Sequence, residues 1–316
     1  MSGVTRVPGM PDYGSGGTVN YIPIRFAKKT LVEYYKKAII PQITNTDYEG
    51  EITAGGDTVR IRTIPDVAVS AYQKGQKLNY EDLSSPSVDL VIDKAINYAF
   101  RTDAVDEKQW DILMSPKFVS QAAYAMEQEV DSMVFASASA TAGTGNYGAT
   151  AGKDSGAYNL GASGAPVAIS KANILDFIVD MESVLDEQDV PDDDESRYLC
   201  LPVWMCGMIN KSDLKNASFS GKSESIITTK NRYLGDIAGF KLYKTNLQPT
   251  TADSSSVTAY NLMFGHKDAI TFATQMVQNA SLKGESQMGT LYRGLRVFGH
   301  KTVKPEALGW AYVYKA

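Results

Sequence analysis

Apolar positions recur at helical spacing in three stretches. From Phe26 to Ile40, Ala27, Leu31, Tyr35 and Ala38 form one stripe, with Lys29, Glu33, Lys36 and Lys37 opposite. Pro41 is expected to stop this helix. A long helix is predicted from Ser115 to Ala140, with Ser115 as N-cap and Pro116 at the first helical position. Val119, Ala122, Met126, Val130 and Met133 supply its stripe, and 1.5 Å of rise per residue makes it roughly 35 Å long. The third helix follows Ser170, where Ile174, Phe177, Ile178, Met181, Val184 and Leu185 recur at three and four. It ends in an acidic turn, Asp186 to Glu195, interrupted by Pro191.

Alternation marks strands. In Thr58 to Ile64, Val59, Ile61 and Thr63 alternate with Arg60 and Arg62; in Ser87 to Asp93, Val88, Leu90 and Ile92 alternate with Asp89 and Asp93. The two read as hairpin partners with Arg and Asp on their polar faces. The polar, turn-rich stretch Pro65 to Pro86 joins them, and a loop of that length is uncommon inside a compact domain and is usually functional or disordered. A two-stranded ribbon alone is marginal in water, so this one is expected to lie on something, most simply a neighbouring subunit. Further on, Tyr198–Leu201, Gly239–Lys244, Tyr260–Gly265 and Asp268–Ala273 are predicted strands, Pro202–Ile209 a short buried helix, and Leu291–Tyr314 two strands around Lys304-Pro305-Glu306. Residues 1–24 and 141–166 are rich in small residues and read as an extended arm and a flexible surface loop. The class is α+β, without an internal repeat.

Composition narrows the function. The 316 residues carry a net charge of -5 with 21% charged and 43% hydrophobic residues, which describes a globular protein rather than one that grips nucleic acid with its whole surface. The charge is uneven: residues 1–40 hold six bases against Asp12 and Glu33, which leaves the remainder at -9. Mean hydropathy is -0.22. No apolar window approaches the roughly 20 residues of a bilayer span, and the N-terminal stretch lacks the apolar core of a secretory signal, so no membrane partner is expected. The two cysteines, Cys200 and Cys206, suit a reducing compartment and read as small core residues.

Motifs of chemistry fail on context. Gly143, Gly145 and Gly148 match G-x-G-x-x-G, but a helix precedes them and more Gly, Ala and Ser follow, so a dinucleotide loop is rejected. Gly221-Lys222-Ser223 resembles a phosphate loop whose first glycine is replaced by Asn216, within a polar segment, Asn216 to Arg232, that reads as an exposed loop. His266 and His300 are far apart, each in a strand-like setting, and the cysteines lack C-x-x-C spacing. No nucleophile elbow occurs, Ser212-x-x-Lys215 stands alone, and Asp192 to Glu195 reads as a solvated acidic turn. No catalytic residue, cofactor-binding residue or metal ligand is assigned, and the chain is not expected to be an enzyme.

The order of these features resembles the major capsid proteins of tailed double-stranded DNA phages, which share the Hong Kong 97-type fold, with the likeness closest to podovirus capsid proteins. Ile64 to Tyr72 with Gly75 to Leu78 looks like the descending side of the extended loop, and Val91 to Lys94 through Asp103 to Asp106 like its return. Val190-Pro191 with Arg197 to Pro202, Leu234 to Tyr243, and Phe298 to Leu308 resemble the family's helix-to-strand passage, loop-to-strand passage and closing strand.

That resemblance implies an N-terminal arm and helix over 1–44 and an extended loop hairpin over 45–93. A peripheral domain with the spine helix covers 94–165, an axial domain 166–288, and C-terminal strands returning to the peripheral domain 289–316. It implies pentamers and hexamers of this chain in an icosahedral head around double-stranded DNA, in the virion after assembly in the host cytoplasm. Partners would be a scaffolding protein, a portal protein, and DNA through weak non-specific contacts, with a decoration protein as a further candidate. Arg60, Arg62, Tyr72, Lys74, Lys77, Glu81 and Asp82 become candidates for subunit contact, and Lys29, Lys36 and Lys37 for contact with DNA or scaffold. Some relatives cross-link through Lys–Asn bonds, but no such trio carries over, and self-cross-linking is not expected. The alternatives are an encapsulin-like shell around a protein cargo, a soluble α+β enzyme, which lacks a site, and a secreted adhesin, which lacks a signal.

Overall fold

A computed structural model describes residues 38–48, 58–62, 65, 67–69, 71–77, 80, 82, 86–109, 115–192, 196–212, 233–253, 257–284 and 288–316. The helix expected over 26–40 lies almost wholly outside them. At its end Ala38 and Ile39 are not helical, and a short helix, α1 (Ile40–Ile43), begins instead with Pro41 in its first turn. Proline is suited to that position because its missing N–H would have no partner there, so Pro41 opens a helix rather than stopping one.

Two sheets organise most of the rest, beside a separate two-stranded ribbon. The larger has the order β4 (Val167–Ile169), β12 (Leu308–Lys315), β9 (Thr258–His266), β5 (Arg197–Leu201), β7 (Phe240–Lys244), β6 (Tyr233–Ile237), with β8 (Thr250–Ala252) on β9. β5 is parallel to β7 and β12 to β4; the other pairs are antiparallel. All five residues of β5 are buried, as a central strand covered on both faces requires. The six stripe residues of α4 (Ile174–Asp186) are all buried, in one core with Leu199, Leu201, Phe240, Leu262 and Phe264. The following helix, α5 (Val203–Ile209), touches α4. Arg197 joins α4 to β5: its buried guanidinium lies 2.7 Å from Asp186 and donates to the carbonyls of Val190 and Pro191. A buried cation needs such pairing.

The smaller sheet is a long antiparallel hairpin, β10 (Ile270–Lys283) and β11 (Gly289–Thr302), with β3 (Lys94–Asp103) on the outer edge of β11. A short helix, α2 (Ala104–Gln109), follows β3, and the long helix α3 (Ser115–Ala138) lies against β3 and β11. Val130, Val134, Phe135 and Ala138 bury the last turns of α3, whereas Phe118 and Tyr124 in its first half remain exposed. The chain passes between sheets twice: β10 follows β9 after a single 3-10 turn, and β12 follows β11 in the same way. Residues 289–316 are therefore divided, β11 in the small sheet and β12 in the large one.

Residues 141–166, read as a flexible surface loop, lie largely at the surface but are tied to the body at several points. The buried Asn146 side chain donates to the carbonyls of Glu306 (2.6 Å) and Leu308 (3.0 Å) and accepts from Gln188 Nε2. Leu160 and Ala151 are buried as well. Gly161, at φ +83°, runs so close to β12 that a Cβ would stand 2.1 Å from the Tyr312 carbonyl. Small residues here permit close backbone approach rather than freedom.

Candidate functional site

The protruding ribbon is built as its alternation predicts. β1 (Thr58–Arg62) and β2 (Ser87–Val91) pair antiparallel with Arg60 opposite Asp89 and Ile61 opposite Val88. On the polar face Arg60 Nε lies 2.8 Å from Asp89 Oδ1, with a second contact at 3.2 Å. The shared hydrogen bonds raise the Arg60 pKa and lower that of Asp89. The pair is solvent-exposed, so it sets register more than it adds stability.

The apolar face has a floor within the chain, contrary to the expectation of an unsupported ribbon. Ile61, Leu90 and Ile92 form a buried cluster with Ala273 of β10, against which Val59, Val297 and Val303 pack. The pleat puts alternate residues on one side, and β11 passes close enough to β2 to receive them. Beyond the strands, the described residues stay uncovered. There Val69 is 96% and Tyr80 91% exposed, with Val67 and Tyr72 also well exposed.

A turn closes part of this stretch: Gln76 N–H donates to the Gln73 carbonyl and Gln73 N–H to the Gln76 side chain, both at 3.0 Å. Gly75 takes the left-handed φ of +88° that such a turn favours. Lys74 is therefore presented at a turn, with Tyr72 and Lys77 exposed beside it, and Asp82 exposed further along. Arg60 and Arg62 belong to the strand. Glu81 lies outside the described residues, as do Lys29, Lys36 and Lys37.

The root of the arm is held where sequence patterns pointed to nothing. Ile39, Ile40 and Ile43 are buried, and Asn45 exchanges backbone hydrogen bonds with Ile270 and Phe272, adding itself to the edge of β10. Asp131 of α3, 1% exposed, accepts the Ile39 N–H at 2.7 Å. Burial pushes its pKa up to about 6 against the opposing pull of the Ile39 and Ile40 N–H groups; Glu127 adds to the rise and Arg296 opposes it. An acid in a helical stripe carries no sequence mark of such a partner 92 residues away.

A cleft of about 510 Å³ opens between β3 and the first half of α3, lined by Phe100, Phe118, Ala122 and Ala125 with Arg101, Asp103 and Asp106 at its edges. Phe100 stacks on Tyr292 at 5.0 Å and meets Phe118 edge-on.

One contact has the outline of chemistry. Ser137 Oγ of α3 lies 2.6 Å from His300 Nε2 of β11. Lys94 of β3 stands 3.1 Å from the same nitrogen. Burial, then Lys94, pushes the imidazole pKa down to about 4. An acyl-transfer triad orients its imidazole with a carboxylate, whereas here a cation occupies that role. The cluster ties three elements together as a polar joint in which the imidazole is neutral and Lys94 carries the charge.

Cys200 and Cys206 are buried, and burial pushes both thiols up, Cys206 to about 12. Among the described residues no three His, Cys, Asp or Glu side chains gather to hold a metal ion, and no described helix is long and apolar enough to cross a membrane.

The family model described as phage capsid protein matches residues 91–315. No curated protein sequence matches the chain. Among solved structures, a chain from Mycobacterium phage Che8 is 20% identical, with a TM-score of 0.72 over 92% of this chain and 97% of that one. The capsid structure of cyanophage P-SCSP1u gives 15% identity and a TM-score of 0.68, covering 94% of both chains. The bacteriophage PhiM1 mature capsid gives 13% identity and 0.66, covering 99% of both.

Proposed function

The chain belongs to the phage capsid protein family, and from that premise we propose that it is the major capsid protein of a tailed phage, forming pentamers and hexamers that close into an icosahedral head. One observation carries the reading. Val67, Val69, Tyr72 and Tyr80 extend from a ribbon whose base is already buried in its own chain. Apolar side chains presented on an arm with no floor of their own are suited to a neighbour's surface. Repeated around a ring, such a head-to-tail contact closes into a shell or runs on into a tube.

On this reading Arg60, Arg62, Tyr72, Lys74, Lys77, Glu81 and Asp82 meet the adjacent subunit. The aromatic cleft between β3 and α3 is a receiving surface of matching character, with both signs of charge at its edges. The small sheet with α3 forms the peripheral layer and the large sheet with α4 the axial one. The shell has a structural rather than a catalytic role, its inner wall meets DNA only weakly because of the net charge of -5, and Lys29, Lys36 and Lys37 face DNA or a scaffolding protein. A portal occupies one vertex. An encapsulin-like shell is disfavoured, since the matching family model is one of phage capsids.

The test is co-expression with the adjacent phage genes, followed by electron microscopy of the parent and of a Val69→Asp, Tyr72→Ala double variant. Shells from the parent and free, folded capsomers from the variant are expected. Equal shell yields from both would remove the ribbon from the assembly contact.

A further inference from the structure

An open sheet edge offers its outward N–H and C=O groups to any other chain, and soluble proteins blunt such edges with bulges, short strands or a covering segment. The edges of β4, β6, β8 and β10 are treated in that way. β4 and β8 have three residues each, β6 breaks register with β7 between Tyr233 and Asp236, and β10 bulges between Thr274 and Met276 and carries Asn45 at its start. β3 is the exception. It runs for ten residues without a proline, pairs with β11 in unbroken register, and has no second strand partner among the described residues. The Ala104 N–H donates to the Met288 carbonyl at 3.3 Å, one step beyond the pair Asp103 and Gly289. Antiparallel ladders alternate, so the even-numbered residues of β3 turn their backbone groups to β11, and Ala95, Asn97 and Ala99 turn theirs outward. All three are exposed, and two of them have no side chain large enough to shield the edge.

Beside that edge, on the α3 side of the sheet, lies the aromatic cleft of Phe100, Phe118, Ala122 and Ala125. A strand added to β3 would lay alternate side chains into it. The ribbon carries a segment of that pattern: Val67, Val69 and Ala71 alternate along a stretch in neither helix nor strand, with Val67 61% and Val69 96% exposed. Branched side chains at every second position suit a pleated surface. The ribbon of the same chain stands on the opposite face of the small sheet, packed on Ala273 and Val297, so the donor is another copy. Charge sets the direction. Parallel addition carries the chain beyond Ala71 toward Asp103 and Asp106, which can receive Lys74 and Lys77, whereas antiparallel addition would bring both lysines toward Lys94.

We propose that the segment carrying Val67, Val69 and Ala71 in a second copy of this chain adds to β3 as a parallel fourth strand, with Val69 seated beside Phe100. The second copy as donor rests on the capsid reading above; pairing through the backbone of β3 goes beyond it. Main-chain bonds to Ala95, Asn97 and Ala99 supply the affinity, and the cleft, which accepts alternate side chains, supplies the register. Two chains then share one four-stranded sheet, and the edge left open in the free subunit is closed by assembly.

Two arms test this. Ala99→Pro deletes an N–H that faces outward, a position where an edge strand tolerates proline, so the ladder with β11 is kept while an added strand is refused. Shells from the parent, and folded subunits without shells from Ala99→Pro, are expected by electron microscopy and denaturant unfolding. Equal shell yields would overturn strand addition and leave the capsid reading standing. The second arm holds even if Ala99→Pro does not fold. Val69→Cys chains and Ala122→Cys chains are assembled together and treated with a short bismaleimide; Cys200 and Cys206 are buried with raised thiol pKa values and stay unreactive. Linked chain pairs are expected from the mixture and not from either variant alone. Their absence from intact shells would overturn the pairing. If the parent forms no shells, the capsid reading fails by itself: linked pairs among the free chains would then keep the edge as a self-docking site, and their absence would remove both.

Discussion

Asp131 and His300 are pushed in opposite directions by the same cause. Burial raises the acid from 3.8 to about 6 and lowers the imidazole from 6.5 to about 4. Between pH 4 and 6 the folded chain holds more protons on Asp131 than the unfolded chain does, so this group's contribution to stability falls as pH rises through that window. His300 does the reverse: the unfolded chain holds the extra proton, and stability rises with pH over 4 to 6.5. For the almost fully buried Asp131 the effect is on the order of 2–3 kcal/mol, and in the parent the two slopes largely oppose each other. Asp131→Asn is expected to unmask rising stability from pH 4 to 6.5, and His300→Gln falling stability from pH 4 to 6, as read by denaturant midpoints across that range. Matching pH profiles in parent and both variants would contradict the assignment. Neither role was legible in the sequence, because Asp131 meets Ile39 across 92 residues and His300 meets Ser137 across 163.

At the scale of elements, legibility followed how one-sided the burial is. The stripe of α4 and the alternation of β1 and β2 read directly, since one face of each meets a core and the other faces water. β3 was legible only through the resemblance, as the return strand between Val91 and Asp106; the alternation of Ile96, Tyr98 and Phe100 gives a weaker signal because the inner face is only half-buried. The segment 141–166 misled, as small residues signal mobility by composition and close packing by contact. Its retaining bonds yield a prediction: Asn146→Ala leaves two carbonyls at the start of β12 without their donor. A loss on the order of 2–4 kcal/mol in thermal or denaturant unfolding is expected. Protease cleavage should then rise within 141–166, and an unchanged unfolding curve would mean that the loop is held by other means.

At the scale of the molecule, one chain both completes and withholds its own packing. The base of the ribbon, the arm root and the 141–166 segment are secured internally, so the subunit can fold before it assembles. The stretch beyond the strands keeps Val69 and Tyr80 almost wholly exposed, which makes the free subunit complete as a fold and incomplete as a surface. Sequence order alone indicated this architecture, since each matching stretch was loose and only their succession was specific. Sedimentation velocity of the purified 34.3 kDa chain, expressed alone and together with its neighbouring genes, tests the central claim most directly. Particles of roughly megadalton mass with a capsomer-sized precursor are predicted; a single stable species of a few subunits at every concentration would contradict the capsid account.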